Sequence, residues 1–155
     1  MAIQDSQDIP IYSIGSAARK LGVSVHTLRL YEREGLMLSF KTPTKRRLYS
    51  ESDIERLKCI RRAITEEKIG IAGIRHLQAM IPCWEIVQCA KERREACPAY
   101  HGHEAGCWTY NYSTASCSVA DCRHCAVYRL STDCSAIKDF IVRHSETGSL
   151  ASSAD

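Results

Sequence analysis

The chain's nine cysteines are unevenly spread: Cys59 stands alone, and the other eight lie between Cys83 and Cys134. Thiolates are the ligands of zinc and of iron–sulfur centres, and they are also the reactants of disulfide exchange. Cys83, Cys89, Cys97, Cys107, Cys117, Cys122 and Cys125 form the candidate ligand set, with Cys134 trailing. Cys122-Arg123-His124-Cys125 is the strongest local signal, because two thiolates two residues apart can grip one metal or cluster from a single turn. Ala126 stands where haem attachment would require His. A second Cys-x-x-Cys is missing, which argues against a zinc ribbon with paired knuckles. Irregularly spaced thiols beside Trp84 and Trp108 suit an iron–sulfur cluster shielded by aromatic rings. Zinc is the alternative, and a metal-free thiol–disulfide switch the third reading. His101, His103 and His124 can also ligate, though each reads first as an exposed polar side chain. Cys59, between Leu57 and Ile60, reads as a small buried hydrophobe.

A second group of residues suits a polyanion. From Ser24 to Gly35 the chain reads as a short helix, with Ser24 as N-cap and Gly35 as its left-handed stop. Leu28 and Tyr31 fall on one side, while His26, Thr27, Arg29 and Arg33 face outward. Such a face can read a DNA groove or simply be solvated. Further on, Lys45-Arg46-Arg47 forms a cationic loop tip placed to touch phosphates.

The elements around these residues favour the DNA reading. Ile14, Ala17, Ala18 and Leu21 recur at offsets of three, four and seven, one face of a helix closed by Gly22. Only Gly22-Val23-Ser24 links it to the next helix, and small alanines permit close packing: a helix-turn-helix. Leu36–Phe40 and Arg47–Tyr49 are predicted strands joined by a Pro-containing loop, which makes a wing. Ser50 and Asp53 have capping-box spacing at the start of a helix whose apolar stripe is Ile54, Leu57, Ile60 and Ile64. On that helix Arg56, Lys58, Arg61 and Arg62 are assigned to other faces. Ile71, Ile74, Leu77 and Met80/Ile81 predict a last amphipathic helix, ended by Pro82.

Charge divides the chain in the same place. Residues 19–62 hold twelve Lys/Arg against five Asp/Glu, whereas residues 82–155 hold seven against nine. A basic first part and a near-neutral second suggest a polyanion binder joined to something else. Residues 84–128 offer too few aliphatic side chains for a sizeable core, so this part needs a metal or cross-links to fold. No apolar run approaches the roughly 20 residues of a membrane span. With a polar, acidic start there is no sign of a signal peptide, so a cytoplasmic protein whose thiols are kept reduced, without a disulfide framework, is expected. The expected architecture is mainly α: a flexible arm at 1–10, a winged helix-turn-helix at 11–81, a small irregular cysteine-rich module at 82–134, and a short helix with a disordered tail at 135–155.

These elements resemble the MerR family of bacterial transcription regulators. Tyr12-Ser13-Ile14-Gly15, Leu21-Gly22-Val23-Ser24, Thr27-Leu28-Arg29-Leu30-Tyr31-Glu32, Arg46-Arg47-Leu48-Tyr49-Ser50 and Asp53-Ile54 carry the likeness. Gly70-Ile71-Ala72-Gly73-Ile74-Arg75 resembles its heat-shock and glutamine-repressor branch. By position, the resemblance makes Thr27, Arg29 and Tyr31 contact candidates from the recognition helix, and Arg46, Arg47 and Tyr49 candidates from the wing. It further implies double-stranded DNA with a palindromic operator and a homodimer, with RNA polymerase as a further partner. The long coiled-coil helix that pairs many such regulators is absent after Ile81, leaving the arm, the last helix or the cysteine module as the dimer contact. Cys83-Trp84-Glu85, Cys97-Pro98-Ala99-Tyr100, Cys107-Trp108 and Cys125-Ala126-Val127-Tyr128 resemble a two-CW cysteine module, whose likeness supplies no ligand. The expected function is a DNA-binding regulator whose module senses redox state, a reactive gas or a metal. A regulator with a structural zinc module is the alternative. An electron-transfer protein is a distant third, and no enzyme is expected, since no nucleophile–base pair is present.

Overall fold

In the computed structural model the described residues are 6–87, 89–110 and 121–131, together with 136, 138–140, 142 and 143. Helix α1 (Ile14–Leu21) begins where the Ser13 hydroxyl accepts the Ser16 N–H. It ends at Gly22, whose φ of 64° lets the Val23 N–H turn back to Ala18 O. The Arg61 guanidinium donates to Leu21 O at the same terminus. Helix α2 (Val25–Arg33) is capped by Ser24, which accepts the Thr27 N–H at 3.0 Å. Ala17 and Ala18 are buried against Leu28 and Tyr31, so the tight turn closes a true helix-turn-helix.

Three short antiparallel strands flank the pair: β1 (Tyr12–Ser13), β2 (Phe40–Lys41) and β3 (Arg47–Tyr49), in the order β1-β3-β2. Tyr12 pairs with Tyr49, Phe40 with Leu48, and Lys41 with Arg47. The wing hairpin is therefore present, but its first strand is shorter than the sequence predicts. Leu36 and Met37 are wholly buried, and Leu36 O accepts from the side chains of Arg56 and Gln78. Backbone groups satisfied in this way have no need of a ladder partner.

Helix α3 (Glu51–Thr65) opens with the predicted capping box: Ser50 accepts from the Asp53 N–H, and Asp53 accepts from the Ser50 N–H. Two assignments on α3 are corrected by the structure. Arg56, read as a surface cation, is 1% exposed, and Cys59, read as a buried hydrophobe, is half-buried and disulfide-bonded. That bond departs from the expectation that the thiols stay reduced. Helix α4 (Ile71–Ala79) buries Ile74 but leaves Leu77 and Met80 more than half exposed.

Short helices follow: α5 (Cys83–Ile86), α6 (Lys91–Glu95), α7 (Pro98–His101) and α8 (Ala126–Leu130). Single 3₁₀ turns lie at Cys107–Thr109 and Cys122–His124. The main core gathers residues from Ala17 to Ile74, while Ile81, Trp108, Cys125, Val127 and Tyr128 form a second cluster. The module leans on the first domain, and Leu38 of that domain packs in its cluster. The arm, expected to be flexible over 1–10, is held at Asp8. Ser6–Asp8 forms a 3₁₀ turn, and Asp8 accepts from Ser52 at 2.6 Å and pairs with Arg129 at 2.8 Å. Residues 136, 138–140, 142 and 143 are helical where a short helix is expected, and the tail from 144 onward lies outside the described residues.

Candidate nucleic-acid interface and thiol cluster

His26 and Arg29 are exposed on α2, and Thr27 is half-buried, its hydroxyl 2.9 Å from that of Ser24. Arg29 has two acidic residues close by in the chain, Glu32 on α2 and Glu34 at its C-cap, and both are engaged elsewhere. Glu32 takes Arg47 at 2.5 Å and Lys41 at 3.6 Å, while Glu34 takes Arg75 at 3.6 Å. Among the described residues the Arg29 guanidinium makes no ion pair. Glu32 also accepts from Ser39 at 2.9 Å, so one carboxylate pins the wing to the recognition helix from three directions. Its hydrogen bond raises the pKa of Arg47 above the ordinary guanidinium value, and Arg47 acts as a brace beside the surface.

The wing tip is built by Thr42. Its carbonyl accepts the Lys45 N–H at 2.8 Å, its hydroxyl accepts the Arg46 N–H at 3.0 Å, and its own N–H reaches Arg46 O. Lys45 turns at a φ of 61°, and the side chains of Lys45 and Arg46 project into solvent. The helix edge presents His26 and Arg29 with Thr27, and the loop tip presents Lys45 and Arg46.

Tyr31 and Tyr49 do not join this surface. They are 6% and 0% exposed, packed in the main core, and burial raises the pKa of both, that of Tyr49 to about 12. Their place among the contact candidates is corrected: the aromatic rings hold α2 and β3 against the core. Among the described residues the Tyr49 hydroxyl has no hydrogen-bond partner. Tyr49→Phe should therefore leave stability at pH 7 within about 1 kcal/mol of wild type, and leave DNA affinity unchanged. The raised folded pKa works against the native state in alkali, because the unfolded chain ionises near pH 10 first. Wild type should lose stability as pH rises from 10 through about 12, and the variant should lack that component in chemical denaturation at each pH.

The thiols divide into two sets. Cys83, Cys107, Cys122 and Cys125 pack in or against the second cluster, beside Trp108 and Tyr128. Cys97 is buried and Cys89 half-buried, but neither belongs to that cluster; they flank α6. Cys117 and Cys134 lie outside the described residues. Four sulfurs on one apolar cluster fit a thiolate-bound centre in ligand type. Among the described residues, however, no three His, Cys, Asp or Glu side chains stand close enough together to hold a metal ion. The histidines stay peripheral: His101 Nε2 lies 3.0 Å from Glu95 O, His124 Nδ1 lies 2.8 Å from Asp121, and His103 is exposed.

Sequence reasoning missed the joint between module and domain. Trp108 Nε1 donates to Gly35 O at 2.8 Å, and the Leu38 N–H donates to the Tyr128 hydroxyl at 2.8 Å. Arg123 reaches Asp53 at 2.6 Å and lies over the Phe40 ring. Arg56 fills the middle, donating to Leu36 O, Tyr128 O and Ser131 Oγ, with its guanidinium 3.8 Å from the Tyr128 ring centroid. Gly35 is doubly required, since its φ is 74° and a Cβ there would sit 2.5 Å from Thr109 Cγ2.

A helix-turn-helix braced to a cationic wing, with a solvated polar edge, is the architecture of a winged DNA-binding domain. Residues 12–81 match the family of MerR HTH family regulatory proteins, and this segment is a MerR-family helix-turn-helix domain. The chain is similar to a putative heat shock protein HspR of Streptomyces coelicolor, at 38% identity over 72 residues. That match covers 46% of this chain, which spans about half (48%) of the relative's length. No solved structure matches the chain. Among the described residues no helix is long and apolar enough to cross a membrane.

Proposed function

We propose that the chain is a sequence-specific DNA-binding transcriptional regulator, acting as a homodimer on a palindromic operator and through RNA polymerase. The observation that carries this reading is the exposed Arg29 on a helix that Glu32 ties to the wing, with Glu32 and Glu34 both committed to other cations and Lys45 and Arg46 exposed at the wing tip. Arg29 reads a base edge, and Lys45 and Arg46 hold phosphates. The match of residues 12–81 to MerR HTH family regulatory proteins is in keeping with a regulatory role.

The test uses a duplex selected from a randomised pool by the wild-type chain. Arg29→Ala should weaken binding to it by roughly 10- to 100-fold, with little effect on random duplex. Lys45→Gly removes one charge while suiting the positive φ, so the wing keeps its shape. It should weaken binding to both duplexes equally and lower the salt slope by about one. Unchanged affinity in Arg29→Ala would overturn the assignment of the reading face.

The cysteine module is the sensor in this reading, and an iron–sulfur cluster is its proposed cofactor. Cys83, Cys107, Cys122 and Cys125, which share one apolar cluster, are the thiols proposed to hold it, on binding that draws them closer together than they stand. Such a centre would make the module responsive to oxidants, reactive gases or metal supply. Anaerobic purification with metal analysis tests this. Iron with sulfide in a brown protein supports it, whereas zinc in a colourless one assigns the module a structural role. Equal duplex affinity for anaerobic and oxidised protein would remove sensing and leave DNA binding intact.

A further inference from the structure

The residues that join the module to the DNA-binding domain are the neighbours of its thiols. Trp108 follows Cys107, Arg123 follows Cys122, and Tyr128 stands three residues past Cys125, close to one turn along the chain. All three reach one short segment, Gly35–Lys41, which connects α2 to β2. Trp108 holds Gly35 O, Tyr128 holds the Leu38 N–H, and Arg123 lies over Phe40 while gripping Asp53. Behind them Arg56 anchors Leu36 O and Tyr128 O to the same helix. This segment has few ladder bonds of its own, so its path is set by side chains from outside it.

We propose that the cysteine module sets the pose of the wing through this clamp, within a single subunit. Trp108, Arg123 and Tyr128 act as positioning residues that transmit the state of the thiol cluster to Gly35–Lys41. The wing base and the end of the recognition helix then shift together, because Glu32 ties Ser39, Lys41 and Arg47 to α2. No rearrangement between subunits is needed. The inference rests on the regulator reading above and deepens it.

Amide hydrogen exchange on the full chain tests the clamp without DNA. The variant Trp108→Phe/Tyr128→Phe keeps an aromatic ring at each position, though a smaller one at 108, and removes both hydrogen bonds. Exchange over residues 36–41 should rise tenfold or more, while α1 around Ala17 and Ala18 stays protected. Cys107→Ser/Cys122→Ser should give the same local rise, and combining the two pairs should add less than twofold, since the clamp is already open. Duplex affinity should fall about tenfold in each double variant. Uniform loosening of α1 and 36–41, full additivity, or unaltered exchange at 36–41 would overturn the proposal. So would a looser 36–41 with unchanged affinity for a duplex that wild type binds. Should wild type bind no duplex in any state, the regulator reading falls, and the exchange pattern alone still decides the clamp.

Discussion

Asp53→Ala is expected to cost about 4 kcal/mol of stability, among the largest effects of any single substitution in this chain. Asp53 is 4% exposed and its Oδ2 does two jobs, accepting the Ser50 N–H at 2.8 Å and Arg123 Nη2 at 2.6 Å. The first closes the capping box of α3, worth about 1 kcal/mol. The second compensates a guanidinium whose side chain is only 13% exposed and whose Nε has no partner among the described residues. Removing one partner of such a pair strands the other charge, at about 3 kcal/mol or more. Asp53→Asn separates the two roles, since an amide oxygen still caps the helix but carries no charge. It should lose roughly half as much. The double variant Asp53→Ala/Arg123→Ala should be less costly than the two single losses added together, because no orphaned charge remains. Chemical denaturation of wild type and the four variants, Arg123→Ala included, measures all of this, and strict additivity would show that the pair is not coupled.

What could be read in the sequence was local. Ser13, Ser24 and the Ser50/Asp53 pair announce helix starts because a capping side chain bonds within three residues of itself. Gly22 and Gly35 announce stops for the same short-range reason. The exposed edge of α2 and the cationic loop followed from these boundaries, and both are where the sequence put them. What failed were positions decided by partners far along the chain. Leu36 and Met37 look like strand, but side chains from α3 and α4 claim the carbonyl of Leu36. Tyr49 looks like a wing contact, yet the pairing of β1 with β3 turns it inward. β1 itself is two residues long, too short for any periodicity to reveal. Arg56 shares its helix face with Ile60 and Ala63, at offsets of four and seven, and that pattern was the available clue to its burial. A buried arginine becomes tolerable only once Trp108 and Tyr128, more than fifty residues later, supply rings to cover it.

Arg56→Ala should therefore cost about 4 kcal/mol, whereas Arg56→Met should cost far less, and the contrast measures what the arginine does. Alanine leaves a cavity where one of the largest fully buried side chains stood, and buried long side chains cut to alanine lose about 2–5 kcal/mol. Methionine fills most of that volume. The two carbonyls that Arg56 binds each keep another donor, Gln78 Nε2 at Leu36 O and Ser131 Oγ at Tyr128 O. Neither becomes a buried orphan, so the usual penalty for deleting one partner is largely avoided. Burial pulls the pKa of Arg56 below the guanidinium norm, which reflects the desolvation that methionine would not incur. Lost charge-assisted bonds and ring contacts offset that gain, leaving Arg56→Met within about 2 kcal/mol of wild type. If Arg56 served stability alone, Arg56→Met would behave as wild type in every other respect. As the centre of the clamp, it should instead fold normally and exchange its 36–41 amides faster. A Met variant as unstable as the Ala variant would place the arginine's contribution in its hydrogen bonds, not in its volume.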